Sequence, residues 1–254
     1  MPRLTTMPDG LLFAFTFLTT LPVGWLARAR HWDSPGRMFS YFPLIGLTIG
    51  ILVSGIAAIS LLLPLPKDVA MFVALAAWVA FTGGLHLDGL ADSCDGLLAT
   101  VSAKRRLEIM ADPRAGSWAV IGIVLVLLGK WAALRSLPPA ALIIPPIVGR
   151  WSMVLAVAAF PNVKPSGLAA QFRVGFGRSQ LLIASLMAIA FIVALSFWLG
   201  ERIIFVIVIA PIAVLIIGRW AAQRLGGGLT GDVYGALCEV VELLCLIYLN
   251  LNIL

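Results

Sequence analysis

Residues Thr82–Leu98 read TGGLHLDGLADSCDGLL and follow an apolar run long enough to cross a membrane. This stretch contains three carboxylates, Asp88, Asp92 and Asp95, spaced i, i+4, i+7. On an α-helix, that spacing places the three side chains within about 60° of one another. Because three like charges on one face repel, we expect a counter-ion, and a hard divalent cation with oxygen ligands is the natural one. The stretch therefore predicts a helical membrane enzyme with a metal-charged active site at one membrane surface.

The composition of the whole chain also indicates a membrane protein. Of its 254 residues, 61% are hydrophobic and 12% are charged, whereas a soluble domain carries about 25% charged residues. The 3 cysteines form no disulfide framework and have no metal-ligand spacing. The net charge of +6 is accompanied by no nucleic-acid motif, so we expect no nucleic-acid partner. We interpret the positive charge as a topology signal and as an attraction for phosphate substrates.

Apolar runs alternate with polar segments and predict seven membrane-spanning helices. These runs are Tyr41–Leu63, Val69–Leu87, Trp118–Leu134, Pro138–Phe160, Gln180–Leu199, Ile203–Ile217 and Ala236–Leu254. A shorter stretch, Leu11–Val23, is expected to lie in the membrane interface, or to form a re-entrant or buried helix. The predicted fold is an all-α polytopic membrane bundle forming a single domain over residues 1–254, in contact with membrane lipid. A homo-oligomer is compatible with this fold.

The basic residues are distributed unequally between the two sides of the predicted bundle. Only Lys67, Arg135 and Arg202 fall on one side. The other side receives Arg28, Arg30, Arg37, Lys104, Arg105, Arg106, Arg114, Lys164, Arg173, Arg178, Arg219 and Arg224. The positive-inside rule assigns this richer side to the cytoplasm. Because the polar segments 82–116, 161–179 and 219–242 all fall there, we expect the active site to face the cytoplasm.

A second group of candidate residues lies in the segment MADPRAGSW, which begins at Met110. Asp112 followed by Pro113 is typical of a helix N-cap with proline at the first helical position. Arg114 would then lie in the first helical turn, where the helix dipole disfavours a cation unless an anion binds beside it. We interpret Asp112 and Arg114 as a metal-and-phosphate pair, with helix capping as the structural alternative for Asp112.

Other candidate residues carry charge or polarity inside or beside predicted spans. Lys130 and Arg150 lie within spans, where charges usually face a partner or a cavity. His86 is expected either to make a structural hydrogen bond or to contact substrate. Asp232 and Glu239 lie seven residues apart in the C-terminal segment, with Asp232 also a candidate helix cap. We expect this second carboxylate helix to meet the first at one polar centre.

The chain resembles the adenosylcobinamide-GDP ribazoletransferase family, the cobalamin (5′-phosphate) synthases, through most of its length. The resemblance is carried by FTFLTTLPV near the start, FPLIGLTIG at Phe42–Gly50, GGLHLDGLADSCDGL at Gly83–Leu97, the segment Met110–Leu134, GRW at Gly149–Trp151 and GGLTGDVYGALCEVVE at Gly227–Glu242. The HLDGLAD–DG string is specific in this membrane setting. The match up to Ser40 is looser.

This resemblance implies Mg²⁺-dependent joining of adenosylcobinamide-GDP to α-ribazole or its 5′-phosphate, with release of GMP, at the bacterial cytoplasmic (inner) membrane. Asp88, Asp92 and Asp95 would be the metal-binding carboxylates. The other residues that would line the site are Arg114, Lys130 and Arg150 as catalytic groups and His86, Asp112, Asp232 and Glu239 as substrate-binding groups. Such chemistry depends on positioning and charge neutralisation more than on covalent catalysis.

Two other functions remain open from the sequence alone. A CDP-alcohol phosphotransferase would also have an aspartate-rich membrane helix, and Asp92-x2-Asp95-Gly96 matches the opening of its pattern. However, Ala99-Thr100 replaces the expected Ala-Arg, and the downstream Gly/Asp ladder is missing. An ion-coupled transporter would use intramembrane charges as relays, but here the carboxylates cluster at one surface.

Overall fold

A computed structural model of the chain describes residues 9–23, 34–164 and 167–251. Every regular element in this part of the chain is helical, and the one β-type contact is an isolated bridge between Asn162 and Leu229. The predicted all-α fold is therefore confirmed. The segment around Arg28 and Arg30 and the last three residues of the predicted final span lie outside the described residues.

Twelve α-helices make up the described part of the chain. They are α1 Asp9–Leu18, α2 Phe42–Leu62, α3 Lys67–Thr82, α4 Leu85–Leu98, α5 Ala103–Ile109, α6 Ser117–Leu134, α7 Ile144–Ala159, α8 Leu168–Phe172, α9 Arg178–Leu199, α10 Ile209–Ala213, α11 Arg219–Leu225 and α12 Gly231–Leu251. Turns of 3₁₀-helix precede α2, α7 and α10, at Pro35–Tyr41, Pro139–Ile143 and Glu201–Val208. A π-helical turn, Val214–Gly218, joins α10 to α11.

Five helical stretches in the described part are long and apolar enough to cross a membrane. They are Pro35–Leu62, Ser117–Leu134, Pro139–Ala159, Arg178–Leu199 and Glu201–Leu225. The bent pair α3 and α4 raises the number to 6 if it counts as one span. The predicted final span corresponds to α12, which is 21 residues long but carries Asp232, Glu239 and Glu242. The chain is thus a polytopic helical membrane protein, with fewer spans by this measure than the seven predicted.

The predicted span Val69–Leu87 is wrong at its C-terminal end. Helix α3 stops at Thr82, and α4 leaves it at an angle of 88°. The two residues at the corner, Gly83 and Gly84, both adopt left-handed conformations, with φ of 62° and 68°. Only glycine adopts this conformation without a steric penalty. The glycine pair therefore turns the aspartate helix away from the axis of α3 instead of letting it continue the span.

Helix α1 supports this corner from outside. Its apolar residues Leu12, Ala14 and Leu18 are buried against the bundle, in agreement with the prediction of a short packed helix. Just beyond it, the backbone N–H of Thr20 donates to the carbonyl of Phe81 over 2.8 Å. The Thr20 hydroxyl donates to the carbonyl of Ala80, also over 2.8 Å. The N-terminal segment thus donates hydrogen bonds to carbonyls in the last turn of α3.

The centre of the bundle is α7, whose span is 89% buried. Glycines of α2 let the two helices approach closely: a β-carbon on Gly46 would lie 2.3 Å from the carbonyl oxygen of Pro146, and one on Gly50 would lie 2.6 Å from that of Ile143. Small residues at such crossings are the usual way for membrane helices to pack. Helix α12 packs against both α7 and α4 and so connects the core to the aspartate helix.

Candidate active site

Helix α4 presents its three aspartates on one side, as the sequence predicts. Asp88 is exposed and Asp92 and Asp95 are half-buried, whereas Leu87 and Leu90 on the other side are buried. The i, i+4, i+7 spacing is therefore realised in a continuous helix that lies outside the five spans.

A fourth carboxylate joins this face because α12 crosses α4 at glycines. A β-carbon on Gly89 would lie 2.8 Å from the carbonyl oxygen of Asp232, and one on Gly235 would lie 3.3 Å from the Cα of His86. This close approach places Asp232, in the first turn of α12, beside the aspartates of α4. Asp232 thus meets the aspartates of α4, as expected, whereas Glu239 of the same helix pairs with Lys130 deeper in the bundle.

The electrostatics of Asp92 show how crowded the negative charge is. The pKa of this carboxyl is raised to about 6, mainly by partial burial and then by the neighbouring charges of Asp232, Asp88 and Asp95, in that order. Lys164 acts in the opposite direction. Negative charge therefore exceeds positive charge around Asp92, and this is the environment that a bound cation would stabilise.

Lys164 is a site residue that the sequence reasoning placed only among the topology signals. The segment that precedes it is fixed to the loop before α12. The amide of Val163 donates to the carbonyl of Leu229 over 3.0 Å, and the amide of Leu229 donates to the carbonyl of Pro161 over 2.9 Å. This pairing brings the ammonium group within electrostatic reach of both Asp92 and Asp232. The sequence offered one indication of this role: Lys164 lies in a polar segment that was predicted to be on the same side of the membrane as the aspartates.

Asp95 has a structural partner that the sequence did not indicate. Its carboxylate accepts hydrogen bonds from the amides of Gly116, over 2.6 Å, and Ala119, over 2.9 Å, at the start of α6. These amides have no partner within their own helix, and a negative charge also complements the helix dipole there. A β-carbon on Gly116 would lie 2.6 Å from the Asp95 carboxylate. The residue thus joins α4 to α6 and keeps this carboxylate in one orientation.

The predicted N-cap at Asp112 is wrong, and so is the placement of Arg114 in the first helical turn. Helix α6 begins at Ser117, with Gly116 at the N-cap position. Asp112 instead accepts three hydrogen bonds from Arg114: from the backbone amide over 3.0 Å, from Nε over 2.9 Å and from Nη2 over 2.7 Å. These hydrogen bonds lower the pKa of Asp112 to about 2. The anion expected at this helix N-terminus is the carboxylate of Asp95 itself, which local sequence could not reveal.

Two arginines hold the other end of α4. Arg106 donates through Nη1 to the carbonyls of Gly96, 3.0 Å, and Leu97, 2.6 Å. Arg224 donates to the carbonyl of Leu97 over 2.8 Å. Cations at a helix C-terminus satisfy free carbonyls and complement the dipole. Both arginines therefore fix the position of the aspartate helix.

Four further charged residues form a buried network deeper in the bundle: Lys130, Arg150, Glu239 and Glu242. Lys130 donates to Glu239 over 2.6 Å and also pairs with Glu242. Arg150 pairs with Glu242, and all four side chains are almost fully buried. Two cations and two anions leave the network neutral. The sequence predicted Lys130 and Arg150 as catalytic and Glu239 as substrate-binding, but the structure directs these side chains at one another.

An aromatic cleft opens beside Asp88 and Asp232. Most of its wall is apolar: Phe17, Met38, Phe39, Phe42, Met153 and Phe172. His86 also lines it, is only 2% exposed, and its Nε2 has no hydrogen-bond partner among the described residues. The structural hydrogen bond predicted for His86 is thus not made by Nε2 within the described part of the chain.

The carboxylates do not form a complete metal cage by themselves. Within residues 9–23, 34–164 and 167–251, no three His, Cys, Asp or Glu side chains converge closely enough to hold a metal ion. Mg²⁺ does not require such a cage, because it usually binds one or two carboxylates together with waters and substrate phosphates. The all-oxygen, negatively charged face of Asp88, Asp92 and Asp232 fits that mode of binding.

Comparison with known proteins agrees with the geometry. The model of one protein family, described as cobalamin-5-phosphate synthase, matches residues 10–250. No solved structure matches the chain significantly.

Curated relatives cover nearly the whole chain. A protein of Stutzerimonas stutzeri is 38% identical over 251 residues, covering 96% of this chain and 98% of its own. A protein of Alkalilimnicola ehrlichii is 39% identical over 251 residues, covering 96% of each chain. A third, of Deinococcus radiodurans, is 37% identical over 238 residues, covering 93% of this chain and 84% of its own. All three carry the name adenosylcobinamide-GDP ribazoletransferase.

Proposed function

Because the chain belongs to the cobalamin-5-phosphate synthase family, we propose that this enzyme joins adenosylcobinamide-GDP to α-ribazole, or to its 5′-phosphate, and releases GMP. The substrates are those that the name of its relatives and its family description indicate. One structural observation carries the proposal: four aspartates and one lysine meet beside an open cleft, with negative charge in excess. Such a site suits a pyrophosphate that binds together with a divalent cation.

We propose Mg²⁺ as the cofactor, held by Asp88, Asp92 and Asp232 and by the substrate phosphates. Bound there, Mg²⁺ would supply charge neutralisation for the pyrophosphate and for the leaving GMP. Asp95 contributes negative charge to the same face, but both of its oxygens already accept amide hydrogen bonds. We therefore expect Asp95 to contribute less to metal binding than Asp88 and Asp92, although the sequence predicted the same role for all three.

In the transfer step, a ribose hydroxyl of α-ribazole attacks the phosphorus that bears the cobinamide. A new phosphorus–oxygen bond forms to the ribose, and the bond to GMP breaks. The hydroxyl proton passes to a carboxylate of this face. Lys164 neutralises part of the charge on the phosphoryl oxygens.

We further propose that the site faces the cytoplasm of a bacterial inner membrane. The positive-inside count supports this orientation. The polar segments assigned to that side also contact one another: the bridge from Asn162 to Leu229 and the hydrogen bond from Arg224 to Leu97 join all three.

The decisive experiment measures GMP release by the purified protein in nanodiscs, with adenosylcobinamide-GDP and α-ribazole, in the presence and absence of Mg²⁺. We expect GMP and a cobamide product in equal amounts, only with Mg²⁺. Comparing kcat/KM for α-ribazole and its 5′-phosphate identifies the working acceptor. Absence of product from folded protein with Mg²⁺ would refute the proposal, and uptake into sealed proteoliposomes without conversion would point to transport instead.

A further inference from the structure

The aromatic cleft has two features that the carboxylate chemistry alone does not use. Its wall is formed mainly by phenylalanine and methionine side chains. It also contains a buried imidazole nitrogen, Nε2 of His86, without a partner among the described residues. A buried polar atom that is left unpaired destabilises the protein, so its presence in a cleft indicates a ligand that supplies the missing hydrogen bond.

The two proposed substrates differ greatly in size and polarity. Adenosylcobinamide-GDP carries a corrin macrocycle fringed with amides and a charged nucleotide. The acceptor is a nucleoside with a flat, largely apolar base and a few ribose hydroxyls. Aromatic walls with few polar groups match the flat apolar base of the acceptor better than the amide-fringed corrin ring of the donor.

The position of the carboxylates sets the direction of the ligand. Asp88 and Asp232 line the same cleft as the phenylalanines. A base packed against Phe39 and Phe172 would place its attached ribose toward this acidic edge. The ribose hydroxyl that must attack the pyrophosphate would then lie beside the carboxylates proposed to hold the cation.

We propose that the aromatic cleft is the acceptor subsite, which binds a nucleoside through its flat apolar base. His86 Nε2 is hydrogen-bonded to the ligand, and the ribose lies at the edge formed by Asp88 and Asp232. This assignment rests on the proposed function. The donor then approaches from the side of Asp92 and Lys164. A base with an unpaired polar edge fits this wall poorly, because its polar atoms lose water and gain no partner.

The short helix α8 offers a matched pair of variants. Ala169 lines the cleft, whereas its neighbour Ala170 does not, and both are half-buried. Ala169→Phe fills the cleft without removing any packed side chain, and Ala170→Phe adds the same volume outside it. We expect Ala169→Phe to raise KM for α-ribazole at least tenfold, with KM for adenosylcobinamide-GDP unchanged within twofold. Ala170→Phe should leave both constants within twofold of wild type.

Direct binding keeps this test independent of turnover. Calorimetry of the nanodisc-embedded protein with α-ribazole alone should show binding that Ala169→Phe weakens at least tenfold. The adenine nucleoside of the same α-configuration should bind at least tenfold more weakly than α-ribazole. If Ala169→Phe proves unstable, Phe172→Leu replaces it, since it removes a flat ring but keeps an apolar side chain; there we expect a severalfold weaker affinity.

The outcomes separate this inference from the proposed function. Product formation by wild type together with a raised donor KM in Ala169→Phe would assign the cleft to the corrinoid and overturn the inference. No binding of α-ribazole by wild type, or binding that neither cleft variant changes, would also overturn it. Cleft-dependent binding without any GMP release would leave the acceptor subsite standing and refute the proposed reaction.

Discussion

Two groups of charged residues in this molecule have opposite electrostatic character. The carboxylate face, formed by Asp88, Asp92, Asp95 and Asp232, has excess negative charge and an open side. The buried network, formed by Lys130, Arg150, Glu239 and Glu242, is neutral and closed to solvent. About 10 Å of helix separates Asp232 from Glu239 along α12. Charge that is left uncompensated is available to a ligand, whereas charge that is paired within the fold holds helices together.

This difference changes how the intramembrane charges are interpreted. A charged residue inside a span is by default a candidate functional group. Lys130 and Arg150 meet that criterion in the sequence, but Lys130 pairs with both glutamates and Arg150 pairs with Glu242 through Nη1. Nε and Nη2 of Arg150 have no partner among the described residues. Gly149 allows the approach, because a β-carbon there would lie 2.7 Å from Cγ of Glu242. The network therefore positions α12, and with it Asp232, without contacting the cleft.

The largest effect is expected on the carboxylate face. Asp88→Asn and Asp92→Asn retain the size of the side chain but remove a metal-binding charge, so GMP release should fall about a thousandfold, equivalent to about 4 kcal/mol of transition-state stabilisation. Thermal unfolding in detergent should shift by no more than about 2 °C, since neither carboxylate pairs with a buried cation. Near-wild-type turnover in both variants would remove this face from the mechanism.

The buried network should respond in the opposite way, through stability. Glu242→Leu leaves Arg150 buried without its carboxylate, and breaking such a pair destabilises a protein by about 3–5 kcal/mol. Reversible unfolding in mixed micelles measures this loss. The control is the double variant Glu242→Leu with Arg150→Met, which restores neutrality and should recover most of the stability. A stable single variant with lost turnover would instead assign the network to catalysis.

Asp95 combines the roles of the two groups, because it adds negative charge to the carboxylate face and also joins two helices. Asp95→Asn retains an acceptor for one amide of α6 but loses the charge, so we expect about 1 kcal/mol of destabilisation and roughly tenfold lower turnover. Gly116→Ala should act in the same direction, since its β-carbon would displace the carboxylate. Turnover in Asp95→Asn as low as in Asp92→Asn, with unchanged stability, would show that Asp95 binds the metal directly.

The pH dependence of metal binding provides a further test. Because the pKa of Asp92 is raised to about 6, the carboxyl is protonated below that pH and must lose its proton to bind a cation. The apparent dissociation constant for Mg²⁺ should therefore be constant above pH 7 and rise about tenfold per unit as the pH falls below 6. Titration of Asp92→Asn should lack this inflection, whatever its residual affinity.

The smallest effect concerns two lysines that the sequence treats alike. Lys164 acts on Asp92 and Asp232, so Lys164→Ala should lower kcat/KM severalfold. Lys104 is exposed and lines neither the cleft nor the carboxylate face, so Lys104→Ala should stay within twofold of wild type. Equal losses in steady-state assays of the two variants would mean that general positive charge, and not position, is what matters.

The candidate site shows where sequence reasoning succeeds and where it fails. The helical face of Asp88 and Asp92 follows directly from a spacing of four residues, because helix geometry is local. The meeting with Asp232 was expected from two glycine-rich carboxylate segments. The roles of Asp112 and Lys164 were not found, because they depend on contacts between segments remote in sequence. The pair Gly83-Gly84 is an intermediate case: adjacent glycines are a break signal, but an apolar run around them favoured one straight helix.

By itself, the sequence determined the class of the protein. Its hydropathy requires helices that satisfy their own backbone hydrogen bonds in lipid, and its aspartate spacing sets one acidic helix face. The chain also matches the model of the cobalamin-5-phosphate synthase family over residues 10–250. Only the tertiary structure decided which charges are available to a ligand. Asp95 is directed at α6, Arg150 is paired with Glu242, and Nε2 of His86 is left without a hydrogen-bond partner among the described residues because helices remote in sequence pack there. Pairing energies depend on distance in space, which residue spacing along the chain does not specify.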